Sequence, residues 1–390
     1  MMLFKLIPFR YNVRSLGRRR LRTMLTIGGI SVVVFVCILM LSFSRGIKSS
    51  YRNTASTQNA IIVNANAFTD LTLSRVPKGV ADNFAASVSG VKEEHGRRLI
   101  SPEVHLGTNI ELTEDSGQFL FGVVRGVRPI AFRVHQQVGI TSGREPAHGR
   151  KVIVGRLVAT KLGIDDDAIA IGSTLYFEGD AWEVVGFFHA PGTAFESEIW
   201  CDVDDLIVST KREEYSAISV VLENPEGFDD VDYFCQSRLN LELQAWKEAI
   251  FYGRLAETLD PMIYLVGIMV VMVTGGGILA GMNTMYAAVL GRFQEFGILR
   301  LMGFSRLSII TGLCCESMLI AGMGGILGAV IAGIIGGFSL RFPMGAFSLT
   351  VELEIMLIGI LQALFIGFVG GLLPGIRSVR MSQVDSIRAL

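Results

Sequence analysis

The chain has 390 residues, 50% of them hydrophobic and only 18% charged, against about 25% charged in an ordinary soluble domain. Its formal net charge of −1 hides an asymmetry: residues 1–23 carry seven basic and no acidic side chains, whereas residues 24–261 carry 21 basic and 31 acidic ones. A wholly soluble protein is excluded, and so is a basic nucleic-acid surface; a membrane protein with one inserted soluble domain remains.

In chain order, residues 1–22 form a basic segment and 23–44 run without a charge. About 20 apolar residues cross the roughly 30 Å hydrocarbon core, so 23–44 is a first span. Its lead-in, Arg18-Arg19-Arg20-Leu21-Arg22, also suits a secretory signal peptide. The apolar run is too long for one, and no A-x-A-like cleavage site follows, so an uncleaved anchor is expected.

Residues 45–260 form the soluble domain. Strand-like runs, rich in β-branched and aromatic residues, fall at 61–65, 119–124, 174–177, 182–188 and 216–222. Helix-like runs fall at 79–89, 157–162, 228–240 and 243–259. The expectation is an α+β domain whose polar ends continue the flanking spans outward as a stalk. It contains neither H-E-x-x-H nor G-x-S-x-G, and His95, His105, His135, His148 and His189 lack ligand spacing, so no metal or catalytic centre is expected. Asp165-Asp166-Asp167 reads as a solvated loop rather than a cation site. Cys201 and Cys235 could pair if the domain faces an oxidising compartment; Cys37, Cys314 and Cys315 lie in apolar runs and read as buried thiols.

A second span covers 261–290, with Pro261 in its first turn, where the missing N–H costs little. The uncharged run is long enough to project beyond the bilayer, about 46 Å as one helix. A loop at 291–306, a third span at 307–337 with Glu316 as its one acid, a loop at 338–354, a fourth span at 355–376 and a tail at 377–390 complete the chain. The basic N-terminal segment, the loop with Arg292, Arg300 and Arg306, and the tail with Arg377, Arg380 and Arg388 read as cytoplasmic, which places the acidic domain outside. Gly277/Gly281, Gly324/Gly328, Gly333/Gly337 and Gly367/Gly371 recur at four-residue spacing. They mark either close helix contacts or simply the glycine content usual in membrane helices.

The most informative stretch is the loop after the second span: Asn283-Thr284-Met285, then Arg292-Phe293-Gln294-Glu295-Phe296-Gly297-Ile298-Leu299-Arg300-Leu301-Met302-Gly303-Phe304-Ser305. Phe296, Leu299 and Gly303 share a helical face, with Arg292 and Glu295 one turn earlier, and Gly303 suits a left-handed helix stop. Such a segment fits a docking element for a soluble partner or, equally, a helix lying on acidic lipid.

This run resembles the ERxxEIGxLRxLG element of permeases related to the macrolide exporter MacB, the lipoprotein-releasing proteins LolC and LolE, and FtsX. The resemblance extends over most of the chain. Asn12-Val13-Arg14-Ser15-Leu16 and Arg22-Thr23-Met24-Leu25-Thr26 look like that family's entry to the first span, and Glu316 sits where a glutamate is common. Gly126-Val127-Arg128-Pro129, Gly143-Arg144, Val152-Ile153-Val154-Gly155, Ile171-Gly172-Ser173 and Val184-Val185-Gly186 follow its order in the soluble domain. Gly370-Gly371-Leu372-Leu373-Pro374-Gly375 and Val384-Asp385-Ser386-Ile387-Arg388-Ala389-Leu390 look like its close. Gln294, Phe296 and Gly375 depart from the usual Arg or Lys, Ile and Ala.

The resemblance implies a type VII ABC transporter permease subunit without a fused ATPase. Its fold would be four transmembrane α-helices with a large α+β, two-lobed, MacB-like periplasmic core domain between helices 1 and 2. It would sit in the bacterial inner (cytoplasmic) membrane with both termini cytoplasmic, in contact with membrane lipid and with no nucleic-acid partner. It would pair with a second permease copy, or a related permease, and with two copies of an ABC ATPase. A periplasmic adaptor or lipoprotein carrier could join them. The chain has no G-x-x-x-x-G-K-[ST], so ATP and Mg would be held by the ATPase and no cofactor here. The 291–306 segment would be the coupling helix, with Arg292, Phe293, Glu295, Phe296, Gly297, Leu299, Arg300 and Gly303 contacting the ATPase. The implied work is mechanotransmission, driving export or extraction of a lipid, lipoprotein, peptide or hydrophobic drug. An FtsX-like role, signalling to a cell-wall hydrolase without transport, stays open beside it.

Overall fold

The computed structural model describes residues 20–67, 70–342 and 345–380, with the side chains of Phe293, Phe342 and Arg380 excepted. The basic residues before Arg20, the 12–16 motif and the closing 381–390 motif lie outside the described residues.

Each long uncharged run folds as a helix, because burying a backbone in lipid requires every N–H and C=O to be bonded within the segment. The chain opens with α1 (Arg20–Thr54). The inserted domain follows as β1 (Asn59–Asn64), α2 (Lys78–Ser87), β2 (Ile100–Ile110), β3 (Leu120–Val127), α3 (Ala131–Val134), β4 (Gly139–Gly143), β5 (Lys151–Gly155), α4 (Val158–Leu162), β6 (Thr174–Phe177), β7 (Asp180–His189), β8 (Glu198–Asp202), α5 (Val203–Thr210), β9 (Ala217–Val221), α6 (Gly227–Gln236), β10 (Leu243–Lys247) and α7 (Glu248–Glu257). Then come α8 (Asp260–Leu290), α9 (Phe293–Leu301), α10 (Arg306–Ile335), the hairpin β11 (Ser339–Phe342) and β12 (Gly345–Ser348), and α11 (Leu353–Arg380). Helices α1, α8, α10 and α11 are all long and apolar enough to cross a membrane.

Two compact units result. One is helical and contains the chain through Arg45, Pro261–Phe338 and the part from Leu349 onward; the other is Gly46–Asp260 with the hairpin residues Ser339–Ser348. The hairpin lies within the expected 338–354 loop, and packing, not sequence neighbourhood, assigns it to the inserted domain.

In the inserted domain ten strands form one sheet, nine of them in the path β10-β1-β9-β2-β3-β8-β5-β7-β4 and the tenth, β6, paired to β7 off that path. The eleven-residue β2 joins its two halves. Its first residues pair antiparallel with β9, from Ile100↔Val220 to Glu103↔Ala217, and its remainder pairs with β3, from Val104↔Gly126 to Ile110↔Leu120. Pro102 falls in the half with a single bonded neighbour, where a missing N–H interrupts least. The β8–β3 and β7–β5 pairs are parallel.

Both faces of this sheet are covered. Successive strand side chains point to opposite faces. Val152 and Val154 of β5, with Ile199 and Cys201 of β8, enter the larger core. Ile153 and Trp200, between them in sequence, enter a second core with Phe188 and Phe195. The segment 243–259, expected as one helix, is instead strand β10 followed by α7. Leu243 and Ala245 alternate inward, and β1 offers an edge from Ala60↔Lys247 to Asn64↔Leu243. Tertiary pairing overrides a local sequence that also suits a helix.

The helical unit is held by close backbone approach. A Cβ added to Gly324 would lie 2.9 Å from the Ile27 carbonyl oxygen, and one at Gly328 2.5 Å from that of Ser31. Gly367 and Gly371 meet Ser317 O and Leu313 O at 2.9 Å and 3.3 Å in the same sense, and Gly277 meets Val33 and Ile366. These five allow α1, α8, α10 and α11 to pack as only small residues can. Gly281, by contrast, has open space around it, Gly333 makes only ordinary contact, and Gly337 lies beyond the end of α10. Cys201 and Cys235 are both free and buried, and burial pushes the Cys235 thiol up to about 12. Cys315, read as a buried thiol, is exposed on α10.

Candidate functional site

The connection between α8 and α10 folds as the short helix α9. Its C-terminus shows why the sequence stops there: Gly303 takes φ +88°, its N–H donates to Arg300 O, and the Phe304 N–H donates to Leu299 O. Only glycine enters that left-handed conformation freely. Ser305 then caps α10, its hydroxyl oxygen accepting from the Ser308 N–H at 3.1 Å.

One face of α9 is turned inward. Phe296 is buried in a cluster with Met285, Ala288, Val289, Ile309, Leu313 and Val379, and Leu299 packs on its edge. Arg292, just before α9, donates from Nε to Glu295 Oε2 at 3.1 Å and from Nη1 to Glu316 Oε2 at 2.8 Å. Its side chain is 11% exposed, that of Glu316 10%, and that of Glu295 40%. A guanidinium between two carboxylates makes charge-assisted hydrogen bonds with a fixed fork geometry. Glu316, the lone acid of its span, thus has an internal counterion, as an acid at that depth requires.

These positions show how the residues expected to contact the ATPase are placed in this chain. Arg292, Phe296 and Leu299 face the chain's own helices rather than outward. Arg300 and Gly297 are half-buried and Gly303 is exposed. The outward apolar face is made by Ile298, Leu301 and Met302, at 57%, 74% and 56% exposure. Sequence reasoning missed these three because it followed the face carrying the charges; their own spacing, Ile298 to Leu301 and Met302, is an equally good helical stripe.

A cavity of ≈160 Å³ opens beside the ion pairs. Arg22 and Thr26 of α1, Thr284 of α8, Glu295 of α9, Glu316 and Ser317 of α10 and Gly367 of α11 all border it. Every membrane-crossing helix therefore contributes to one hollow of mixed polar and apolar lining, large enough for several waters.

Residues 23–232 match the MacB-like periplasmic core domain family, and residues 267–383 match the FtsX-like permease C-terminal family. Among curated proteins, a macrolide export ATP-binding/permease protein MacB of Bordetella avium is 20% identical over 97% of this chain and 59% of its own length. The MacB of Hyphomonas neptunium is 25% identical over 60% of this chain and 38% of its own length. The chain therefore spans well under two thirds of the MacB proteins it matches. An uncharacterized ABC transporter permease of Bacillus subtilis, YknZ, is 20% identical and is matched over 98% of its length and 97% of this chain. With more than half of its residues in the MacB-like core domain, and an FtsX-like segment over its last three spans, the chain belongs to the MacB/FtsX family of ABC transporter permeases and is a multi-pass membrane protein.

Proposed function

We propose that this permease couples ATP hydrolysis on an ABC ATPase, supplied from outside the residues of this sequence, to movement of its extracytoplasmic domain. ATP and Mg would sit on that ATPase, and α9 would be the coupling helix seated against it. The observation that supports this is the two-sidedness of α9. Phe296 and the Arg292 ion pairs fasten it to α8 and α10, while Ile298, Leu301 and Met302 stand exposed as an apolar docking stripe. A push on that stripe reaches α10 through Arg292 and Glu316 without any intervening flexible loop.

The protein would lie in the cytoplasmic (inner) membrane with both termini cytoplasmic, working as a pair of permeases with two ATPase copies. Its cargo would be handled on the extracytoplasmic side: a lipid, lipoprotein, peptide or hydrophobic drug. The MacB-like core over residues 23–232 favours transport over a purely signalling role.

The test is permease-stimulated ATP hydrolysis with the ATPase that copurifies with the chain. Leu301→Asp should abolish stimulation while leaving membrane insertion and thermal stability unchanged, since the side chain touches little of its own protein. Glu295→Arg should abolish it too, through repulsion of Arg292. Full stimulation in Leu301→Asp would sink the docking assignment.

A further inference from the structure

The inserted domain buries more ionisable groups than its fold requires. On the sheet face that carries the second core, Arg125 of β3 donates from Nε to Glu198 Oε2 at 2.7 Å, from Nη2 to Glu198 Oε1 at 2.8 Å and from Nη1 to Glu103 Oε2 at 2.7 Å. His135, directly after α3, places Nε2 2.7 Å from Glu103 Oε1. His105 of β2 brings Nε2 to 3.5 Å from Glu103 Oε2. Glu248 opens α7, and its Oε2 accepts from the backbone N–H of Ser56 at 2.9 Å. All these side chains are at most 10% exposed.

Three atoms in this cluster lack a hydrogen-bond partner among the described residues, one of them His105 Nε2, 3.5 Å from Glu103 Oε2. The other two, His135 Nδ1 and Glu248 Oε1, are both buried and face each other at 3.9 Å. The remaining groups around them are the Tyr252 hydroxyl of α7 and the Asn59 amide of β1. Polar atoms left in this way carry a full desolvation cost, which proton binding that neutralises the cluster reduces.

We propose that the His135–Glu248 pair is a proton-binding site that fastens the first turn of α7 to the sheet, so that the inserted domain tightens in acid and loosens in alkali. Charge balance gives the sign. Glu103 and Glu198 contribute two negative charges and Arg125 one positive charge. With His105 neutral, the cluster sums to zero only when His135 is protonated and Glu248 is uncharged. The local fields agree. Burial favours the uncharged forms, but Glu103 and Glu248 override it at His135 and raise its pKa. Burial, with Glu103, raises that of Glu248 against the pull of His135. Burial is overcome at Glu103 by His135, His105 and Arg125, and at Glu198 by Arg125, and both are lowered. Burial and Arg125 lower His105.

Groups with raised pKa stabilise the fold below their ordinary value and lose that contribution as pH rises through the folded one. His135 and Glu248 therefore set an alkaline limb, and Glu103, Glu198 and His105 an acid limb. The location matters because Ser56 follows α1 in sequence and α7 leads into α8. The clamp thus joins, within one domain, the two chain segments that continue into membrane helices.

The test is thermal unfolding of the full chain in detergent across about pH 6 to about pH 9. The wild-type midpoint should fall by roughly 3 °C per pH unit. Glu248→Gln keeps an acceptor for the Ser56 N–H but cannot become charged, so its alkaline limb should be shallower than the wild type's, with only the His135 contribution, held up by Glu103, remaining. Parallel wild-type and variant profiles would overturn the proposal. If the variant does not fold, wild-type indole emission decides. The ring of His135 lies 5.9 Å from that of Trp200, and a protonated imidazole quenches indole, so emission should rise with pH. An unchanging emission would overturn the proposal. Neither readout involves an ATPase, so the result is independent of the coupling role of α9.

Discussion

Arg125 and Arg292 each lie between two carboxylates, one in the inserted domain and the other in the helical unit, and the surroundings of the two differ. The partners of Arg125 stand on strands bonded to its own, β2 and β8, and the Arg125, Glu103 and Glu198 side chains are 3%, 0% and 10% exposed. The partners of Arg292 stand on two separate helices, one of them, Glu295, 40% exposed and beside a cavity. A sheet fixes the first trio by backbone hydrogen bonds. The second trio can change its geometry as α9 and α10 shift, because solvent can replace a lost bond. Similar chemistry is therefore a fixed post in one unit and, in the coupling role proposed for α9, would be an adjustable link in the other.

The sharpest way to break this comparison is Arg125→Met. It removes the guanidinium that compensates two buried carboxylates, a loss of about 3–5 kcal/mol. Thermal unfolding of the inserted domain should drop by roughly 10 °C, with the four long helices still inserted. A drop of only a degree or two would show that water reaches the cluster and that the contrast with Arg292 is unfounded.

Next in size is a pair of glycine substitutions in the helical unit. At Gly328 a Cβ meets the Ser31 carbonyl oxygen and the Phe35 N–H at 2.5 Å and 3.2 Å, both backbone atoms that cannot swing aside. Gly328→Val should therefore cost about 1–3 kcal/mol as α1 and α10 part. Gly281→Ala meets nothing within 4 Å and should be neutral or slightly stabilising, by up to about 1 kcal/mol. Unfolding in detergent, followed by a helix-content signal, separates the two. Equal effects would mean that the four-residue glycine spacing, and not the contact, decides.

That pair also shows what could be read from the residues alone. Long uncharged runs, the soluble insertion and the short helix after the second span were all legible, because each rests on local composition or periodicity. The glycine spacing was legible, but which member of each pair meets a backbone was not, since Gly277 and Gly281 look alike until α1 and α11 are in place. The inward turn of Phe296 was hidden for a similar reason. The charged face and the apolar face of α9 both suit an outer surface, and only the counterion need of Glu316 selects between them. A lone acid in a span and an arginine just outside it were the available signal. Strand β10 depended on the edge of β1, supplied from far along the chain, and the place of the hairpin in the inserted domain depended on packing rather than strand pairing. The Arg125 cluster was unreadable, because its members come from five separate segments.

The smallest expected effect is the most informative about the adjustable link. Glu316→Gln removes one charge from the Arg292 fork but keeps an acceptor within reach of Nη1, and Glu295 still neutralises the guanidinium. A neutral acceptor in place of a charged one costs about 1 kcal/mol, so thermal stability should change little. Coupling should change far more. If Arg292 transmits displacement of α9 to α10, weakening its bond to α10 should lower permease-stimulated ATP hydrolysis several-fold while ATPase binding persists. The same Glu→Gln change at Glu198 weakens a bond between neighbouring strands, where no relative motion is required, and should leave coupling near normal despite a larger loss of stability, since that carboxylate is buried and holds Arg125 by two bonds. Were Glu198→Gln to uncouple as strongly as Glu316→Gln, the two arginines would play equivalent roles, and the distinction between post and link would reduce to their degree of burial.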